Sequence, residues 1–150
     1  MSTNFKFDVN YYEDEKNGII KKDLFSEFAE NVVTNFLDKK VDDDYKTDRR
    51  GKKKLSKKLT YTQLRKFYEE VLNLKQRLEN GEDYKKILPY FKMLKAKANV
   101  AYEREVINTN FKTFIEKNVD YVDDNENRFK VFCTFFEAVV AYAKGVIKDK

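Results

Sequence analysis

The thirteen residues from Lys46 to Lys58 carry the most distinctive chemistry in this chain, with eight basic side chains against a single acid, Asp48. The whole protein has a net charge of +5, so this one stretch exceeds the total and the remainder is slightly acidic. Arg49 and Arg50 offer forked donors that match phosphate oxygens, and Lys52, Lys53 and Lys54 add compact ammonium charge. Polyanion binding is one reading of such a run. A merely solubilising surface is the other, and composition leaves both open. A membrane surface would use the same charges, but the flanking residues provide no bulky apolar anchor.

Catalytic chemistry is poorly provided for. The chain has no His, which removes the usual acid–base group near neutral pH. Metal-independent RNA cleavage, which commonly relies on His for both proton transfers, is therefore not expected. There is no Gly-rich phosphate loop and no zinc-ligand spacing. Asp42–Asp44 and Asp123–Asp124 are the carboxylate clusters that could meet a divalent cation. Adjacent aspartates in a turn more often face water than converge on a metal. Cys133 is the single cysteine. It excludes an internal disulfide, fits a reducing cytoplasm, and sits in an apolar run where an inert buried thiol is expected. The residues predict no enzyme, no catalytic group, no metal and no cofactor.

The elements that must position the basic run are helical. With 13 Phe, 10 Tyr, one Pro and four Gly in 150 residues, the chain suits one domain of long, little-interrupted helices. Phe129 to Ile147 is apolar around most of its circumference. Lys130, Thr134, Glu137 and Lys144 fall on one narrow stripe, so this segment is expected as the central helix of the bundle. Its charged residues argue against a membrane span, and its apolar surface suggests contacts with neighbouring molecules as well.

Ahead of it, Asp23 is expected to cap a helix that ends near Asp38. Thr60 and Gln63 form a capping box for a second helix that stops at Gly81. Asp83 caps a third region, which Pro89 either kinks or opens from the first turn of its main segment, the second being the reading preferred here. A fourth helix starts after Asn108 and buries Phe111, Phe114 and Ile115, and an acidic connection spans Asp120 to Asn127. Between the first and second helices, Lys39 to Lys58 shows no periodicity and is expected as a long basic loop. Residues 1–22 read as an N-terminal extension, extended or poorly ordered: Phe5, Phe7 and Val9 alternate as a strand would, whereas Glu13 to Gly18 resembles a loop. The opening residues show no secretory signal, which suggests a cytoplasmic protein. The expected fold is all-α, a single bundle of about five helices over residues 23–150.

Several blocks in register resemble a known family. FCTFFEAVVAYAKG (Phe132–Gly145), LTYTQLRKF (Leu59–Phe67) with Arg65, and YFKMLKAKANVAYERE (Tyr90–Glu105) with Lys95, Lys97 and Arg104 are similar to the small subunit of type III-A CRISPR effector complexes, the Csm small subunit. DRRGK (Asp48–Lys52) fits as well. Residues 1–20 lie outside the resemblance, Ile107 to Asn127 follows it loosely, and Asn99-Val100 stands where more usual helix formers are expected. The resemblance implies a small non-catalytic helical bundle. Several copies would stack beside the backbone and large subunits, lining a channel for the CRISPR RNA and its target RNA. Target cleavage would belong to the backbone subunit, and signalling or DNA cleavage to the large subunit. The implied RNA-binding set is Arg49, Arg50, Lys52, Lys53, Lys54, Arg65, Lys95, Lys97 and Arg104. A helical protein–protein adaptor with a solubilising loop is the alternative from the residues, and a nuclease built on the aspartate clusters is a distant third.

Overall fold

The computed structural model describes residues 5–149. Residues 1–4 and 150, which the sequence assigns to the extension and to the end of the bundle, lie outside the described residues. In chain order the elements begin with β1 (Tyr12–Asp14), β2 (Ile19–Ile20) and α1 (Glu27–Val32), which continues as a π-helical turn over Val33–Leu37. A 3₁₀ turn at Asp42–Asp44, β3 (Tyr45–Thr47) and β4 (Lys53–Leu55) follow. The four long helices close the chain: α2 (Tyr61–Glu79), α3 (Tyr84–Glu103), α4 (Thr109–Val122) and α5 (Glu126–Ala143).

The helical expectation holds for the body of the molecule, and the all-α description is corrected by two antiparallel strand pairs. β1 pairs with β2 and β3 with β4. The second pair was missed because β3 is exposed at every position and β4 at all but its last, half-buried residue. A ribbon wet on both faces has no alternating apolar pattern to read.

α5 is the helix that the others cover. It packs against α1 with its π-helical turn, α2 and α4, and its two Phe rings at 129 and 132 meet Phe91 of α3 at centroid distances of 5.1 and 5.7 Å. Lys130, Thr134, Glu137 and Lys144 are all exposed, while Phe129, Phe132, Phe135 and Phe136 are each 1 % exposed or less. The narrow polar stripe read from the sequence is the solvent edge of this helix. Phe136 sits among Tyr68, Phe111, Phe114 and Phe132 at 5.5 to 6.5 Å. The expectation that α5 keeps apolar surface for neighbours is corrected. Exposed large apolar side chains lie instead on α3, at Tyr90, Met93 and Val100, and on the strand pairs, at Ile19 and Tyr45. Cys133 lies on the buried side of α5, and burial pushes its thiol up to about 12. We therefore expect no measurable alkylation of the folded protein by iodoacetamide at pH 8, and full labelling in denaturant, since the thiolate is the nucleophile. Rapid labelling of the folded chain would show that the α5 face opens.

Local capping sets the helix starts. The Thr60 and Asn108 side chains accept from the backbone N–H groups of Gln63 and Phe111, as expected, and Asn125 accepts from Arg128. That last cap starts α5 before Phe129, and because Val119 and Val122 are buried in α4 the acidic connection shrinks to three residues. Asp83 accepts from the Lys85 N–H, so α3 begins at Tyr84 and buries Tyr84 and Ile87. Pro89 consequently falls inside the helix rather than in its first turn, at the cost of the hydrogen bond to the Lys85 carbonyl. Asp23 does not cap α1 by its side chain; its backbone carbonyl accepts from Ser26 and Phe28, and the helix starts at Glu27.

Residues 5–11 run without regular structure against the bundle, and residues 12–20 double back as the β1–β2 hairpin. Phe7 stacks on Phe36 and Phe114 at 4.9 and 5.6 Å, and the Tyr11 hydroxyl donates to the buried Asn118 at 2.5 Å. Arg128 of α5 grips Glu15 with two bonds of 2.8 Å and holds that carboxyl below its usual range.

Candidate nucleic-acid interface

The turn between β3 and β4 is built by the one acid in the basic run. Asp48 accepts from the backbone N–H groups of Arg50 and Lys52 at 2.8 and 2.9 Å, and its own N–H donates to the Lys52 carbonyl. Gly51 supplies the positive φ of 79° that closes the turn, a conformation costing a side-chain-bearing residue about 1 kcal/mol or more. An aspartate bonding two residues on, followed by Gly, is a turn signal the sequence did display. The expected loop is thus a two-stranded ribbon, with Arg49 and Arg50 at its tip, Lys52 just ahead of the returning strand, and Lys53 and Lys54 on it.

Register decides where those cations face. Lys46 lies opposite Lys54 and Thr47 opposite Lys53, so Lys53 and Lys54 point to opposite faces of the ribbon. Lys53 is 4.0 Å from the exposed Asp42. Among the described residues, no ion pair engages Arg49, Arg50, Lys52 or Lys54.

Two anchors, neither expected, fix the ribbon to the helices. Asp44 is fully buried. One carboxylate oxygen accepts from the Thr109 N–H and hydroxyl at 2.8 and 2.7 Å, and the other from the Val41 N–H at 2.9 Å. Its backbone carbonyl accepts from Ser56 and Lys57 at 2.8 and 3.0 Å. Asp44 therefore ties both ends of the hairpin to the first turn of α4, where a negative charge also complements the helix dipole. This corrects the reading of Asp42–Asp44 as a solvated turn: Asp42 and Asp43 are exposed, Asp44 is not. The second anchor is Glu105, which pairs with Lys46 and is held below the usual carboxylate range by that ammonium. Glu105 has a φ of 64° and ends α3 in the position a Gly commonly takes. The N–H of Glu105 donates to the Tyr102 carbonyl and that of Val106 to Ala101.

The helix cations are arranged differently. Lys97 pairs with Glu70 of α2 at 2.7 Å, Lys95 with Asp120 of α4 at 2.7 Å, and Arg65 with Glu69 at 3.5 Å. Arg104 has no ion-pair partner among the described residues. Lys97 and Arg104 line a groove of about 500 Å³ between α2 and α3, together with Lys66, Met93 and Val100. Lys95 faces away from it toward α4. Arg104 lies next to Glu105 and so beside the hairpin root, whereas Lys95 and Arg65 are not brought to that surface. Exposed pairs of this kind are worth only about 0–1 kcal/mol, so a phosphate can displace the carboxylates at little cost.

Among the described residues, no three acidic or sulfur side chains come together in a way that could hold a metal ion. Asp123 is instead paired with Lys92 at 2.7 Å. No helix there is long and apolar enough to cross a membrane.

No curated protein and no solved structure matches the chain. A family model described as Csm2 Type III-A matches residues 38–148, the span that begins just after the π-helical turn and takes in the anchored hairpin and the four long helices. With that span covering well over half of its length, this chain belongs to the Csm2 Type III-A family, as a small subunit of type III-A CRISPR Csm complexes.

Proposed function

We propose that this chain is a non-catalytic, cytoplasmic scaffold subunit. It holds the backbones of the guide RNA and its target without reading their sequence, and stacks in several copies beside the backbone and large subunits of its complex. The observation that carries this reading is the hairpin: four cations free of ion pairs on a ribbon that Asp44 and Glu105 fix to the helical body. Lysine and arginine neutralising phosphates give affinity without sequence information, which suits a scaffold when base pairing with a guide does the reading.

The test is fluorescence anisotropy of the full chain with unrelated single-stranded RNAs over a salt series. Equal affinities are expected, falling with salt at a slope of about 0.7 per neutralised phosphate. No binding at low salt would remove RNA from the function. Self-association should show in light scattering as mass that rises with protein concentration.

The ion pairing of the helix cations gives a second test. Replacing Glu70 by Gln frees Lys97 and should raise RNA affinity up to about fivefold at 0.1 M salt. Replacing Glu82 by Gln, whose partner Arg77 lies outside the proposed set, should leave it unchanged. A Glu70→Gln variant that binds no better takes Lys97 out of the interface.

The apolar stripe Tyr90, Met93 and Val100, with the intramolecular pairing of Arg65, Lys95 and Lys97, favours the second reading, a helical adaptor for protein partners. That reading leads if RNA binding fails while co-purification with other Csm subunits persists.

A further inference from the structure

A small cleft opens at the foot of the hairpin, where the chain leaves β4 for α2. Its volume is about 220 Å³. Lys40, Lys57, Lys58 and Lys148 line it, with Asp38 as the one carboxylate. These lysines come from three separate stretches: the segment after α1, the segment between β4 and α2, and the segment after α5. Among the described residues none of the four forms an ion pair, in contrast to the paired cations on the helices. The floor is apolar, from Leu37, Leu59 and Ile147. Asn108 also lines it, with one amide N–H donated to the Leu37 carbonyl and its oxygen accepting from the Phe111 N–H.

From this geometry we infer that the cleft is a phosphate-binding site, and that on the RNA-scaffold reading it seats one backbone phosphate of the RNA bound along the hairpin. Folding gains nothing by setting Lys40, Lys58 and Lys148 around a concave surface with one carboxylate, while the Lys57 ammonium rests against Tyr102. A dianionic or monoanionic phosphate neutralises them and replaces their mutual repulsion with attraction. Size and lining define the ligand class. The cleft is smaller than the roughly 300–1,000 Å³ of sites that enclose drug-sized molecules, and no aromatic ring lines it for a base to stack on. It fits a phosphate group and a few waters, with sugar and base left outside.

Its place in the fold links it to the hairpin. The Lys57 N–H donates to the Asp44 carbonyl, so the buried aspartate that fixes the ribbon also fixes the rim of the cleft. The Lys57 ammonium lies 4.6 Å from the centroid of the Tyr102 ring, which Lys112 approaches to 4.7 Å on its own side of the hairpin root. Lys57 thus links the hairpin root to the cleft, its ammonium at the root and its backbone on the rim. No motif marks it in the sequence, because Lys40, Lys58 and Lys148 meet only through the packing of the segments after α1, β4 and α5.

The experiment titrates inorganic phosphate into the isotopically labelled full-length chain and follows backbone amides by NMR, and then measures RNA affinity for the same proteins. Saturable shifts are expected at Leu59, Asn108 and Ile147, and their loss in a Lys40→Gln/Lys58→Gln variant. Both changes lie on exposed side chains, and an unchanged amide spectrum elsewhere would verify the fold. That variant should bind RNA about fivefold more weakly at 0.1 M salt, with the salt slope flatter by about 0.7, because the cleft holds one phosphate. Absence of saturable phosphate shifts at the cleft overturns the site. Saturable shifts with RNA affinity equal to wild type keep a phosphate site but overturn its assignment to RNA. If the wild-type chain takes phosphate in the cleft yet binds no RNA at all, the scaffold reading fails and the cleft stands.

Discussion

Changing Arg49, Arg50, Lys52, Lys53 and Lys54 together to Ala should lower single-stranded RNA affinity several hundredfold at 0.1 M salt. The slope of log affinity against log salt should flatten by about 2.8, or roughly 0.7 for each of about four lost contacts. Four rather than five follows from the register. Lys53 and Lys54 face opposite sides of the ribbon, and one RNA strand lying on one face reaches only one of them. Single changes at these two positions should therefore differ, one flattening the slope by about 0.7 and the other leaving it unchanged. The loss should be the same for unrelated sequences, because phosphates carry no sequence information. Circular dichroism should not change, since the turn is held by Asp48 and Gly51 and every altered side chain is exposed. An unaltered salt slope in the five-residue variant would put the adaptor reading ahead.

The second large effect belongs to Asp44. Replacing it with Ala leaves the Val41 and Thr109 N–H groups without their acceptor in a half-buried site, and leaves the Thr109 hydroxyl only the Tyr102 hydroxyl as partner. A hydrogen bond to a charged acceptor contributes about 1.5–3 kcal/mol, and an unsatisfied buried donor costs a further penalty of similar size. A loss of about 3–5 kcal/mol is expected, seen as a lower urea midpoint with the slope of the transition unchanged. Asn in place of Asp keeps one acceptor oxygen and should recover about half of it. Below the unfolding transition the Ala variant should also bind RNA more weakly, because the ribbon has lost its tie to α4 while its cations remain. Destabilisation under about 1 kcal/mol would mean that Ser56, Lys57 and the Lys46–Glu105 pair hold the hairpin without the carboxylate.

Much of this molecule was legible in its sequence where the signals are local. Thr60, Asp83 and Asn108 cap helices through bonds to residues two or three positions on. The polar stripe of α5 follows from helical spacing alone. The blocks around Arg65, Lys95 and Phe132 sit in helices whose pattern is set by residues a few positions apart, so the family resemblance was legible for the same reason. The charge of the basic run, and the lack of any His to support catalysis, are properties of composition.

Tertiary structure decided what those charges can do. Asp44 reads as one of three adjacent acids, and only its packing against Thr109, 65 residues away, makes it an anchor rather than a solvated turn. The hairpin carries no period-2 signal because its strands bury almost nothing. Whether Lys97 and Lys95 share a surface depends on which helices flank α3, and those helices place one on the α2 side and the other on the α4 side. Composition could not separate cations that are already paired from those left free, because an ion pair between Lys97 and Glu70 exists only once two helices have packed. Sequence spacing is fixed by the covalent chain and reports contacts within a turn or two. The convergence of Lys40, Lys58 and Lys148 on one cleft arises from burying the apolar faces of α1, α2, α4 and α5 together, an energy that no single segment contains.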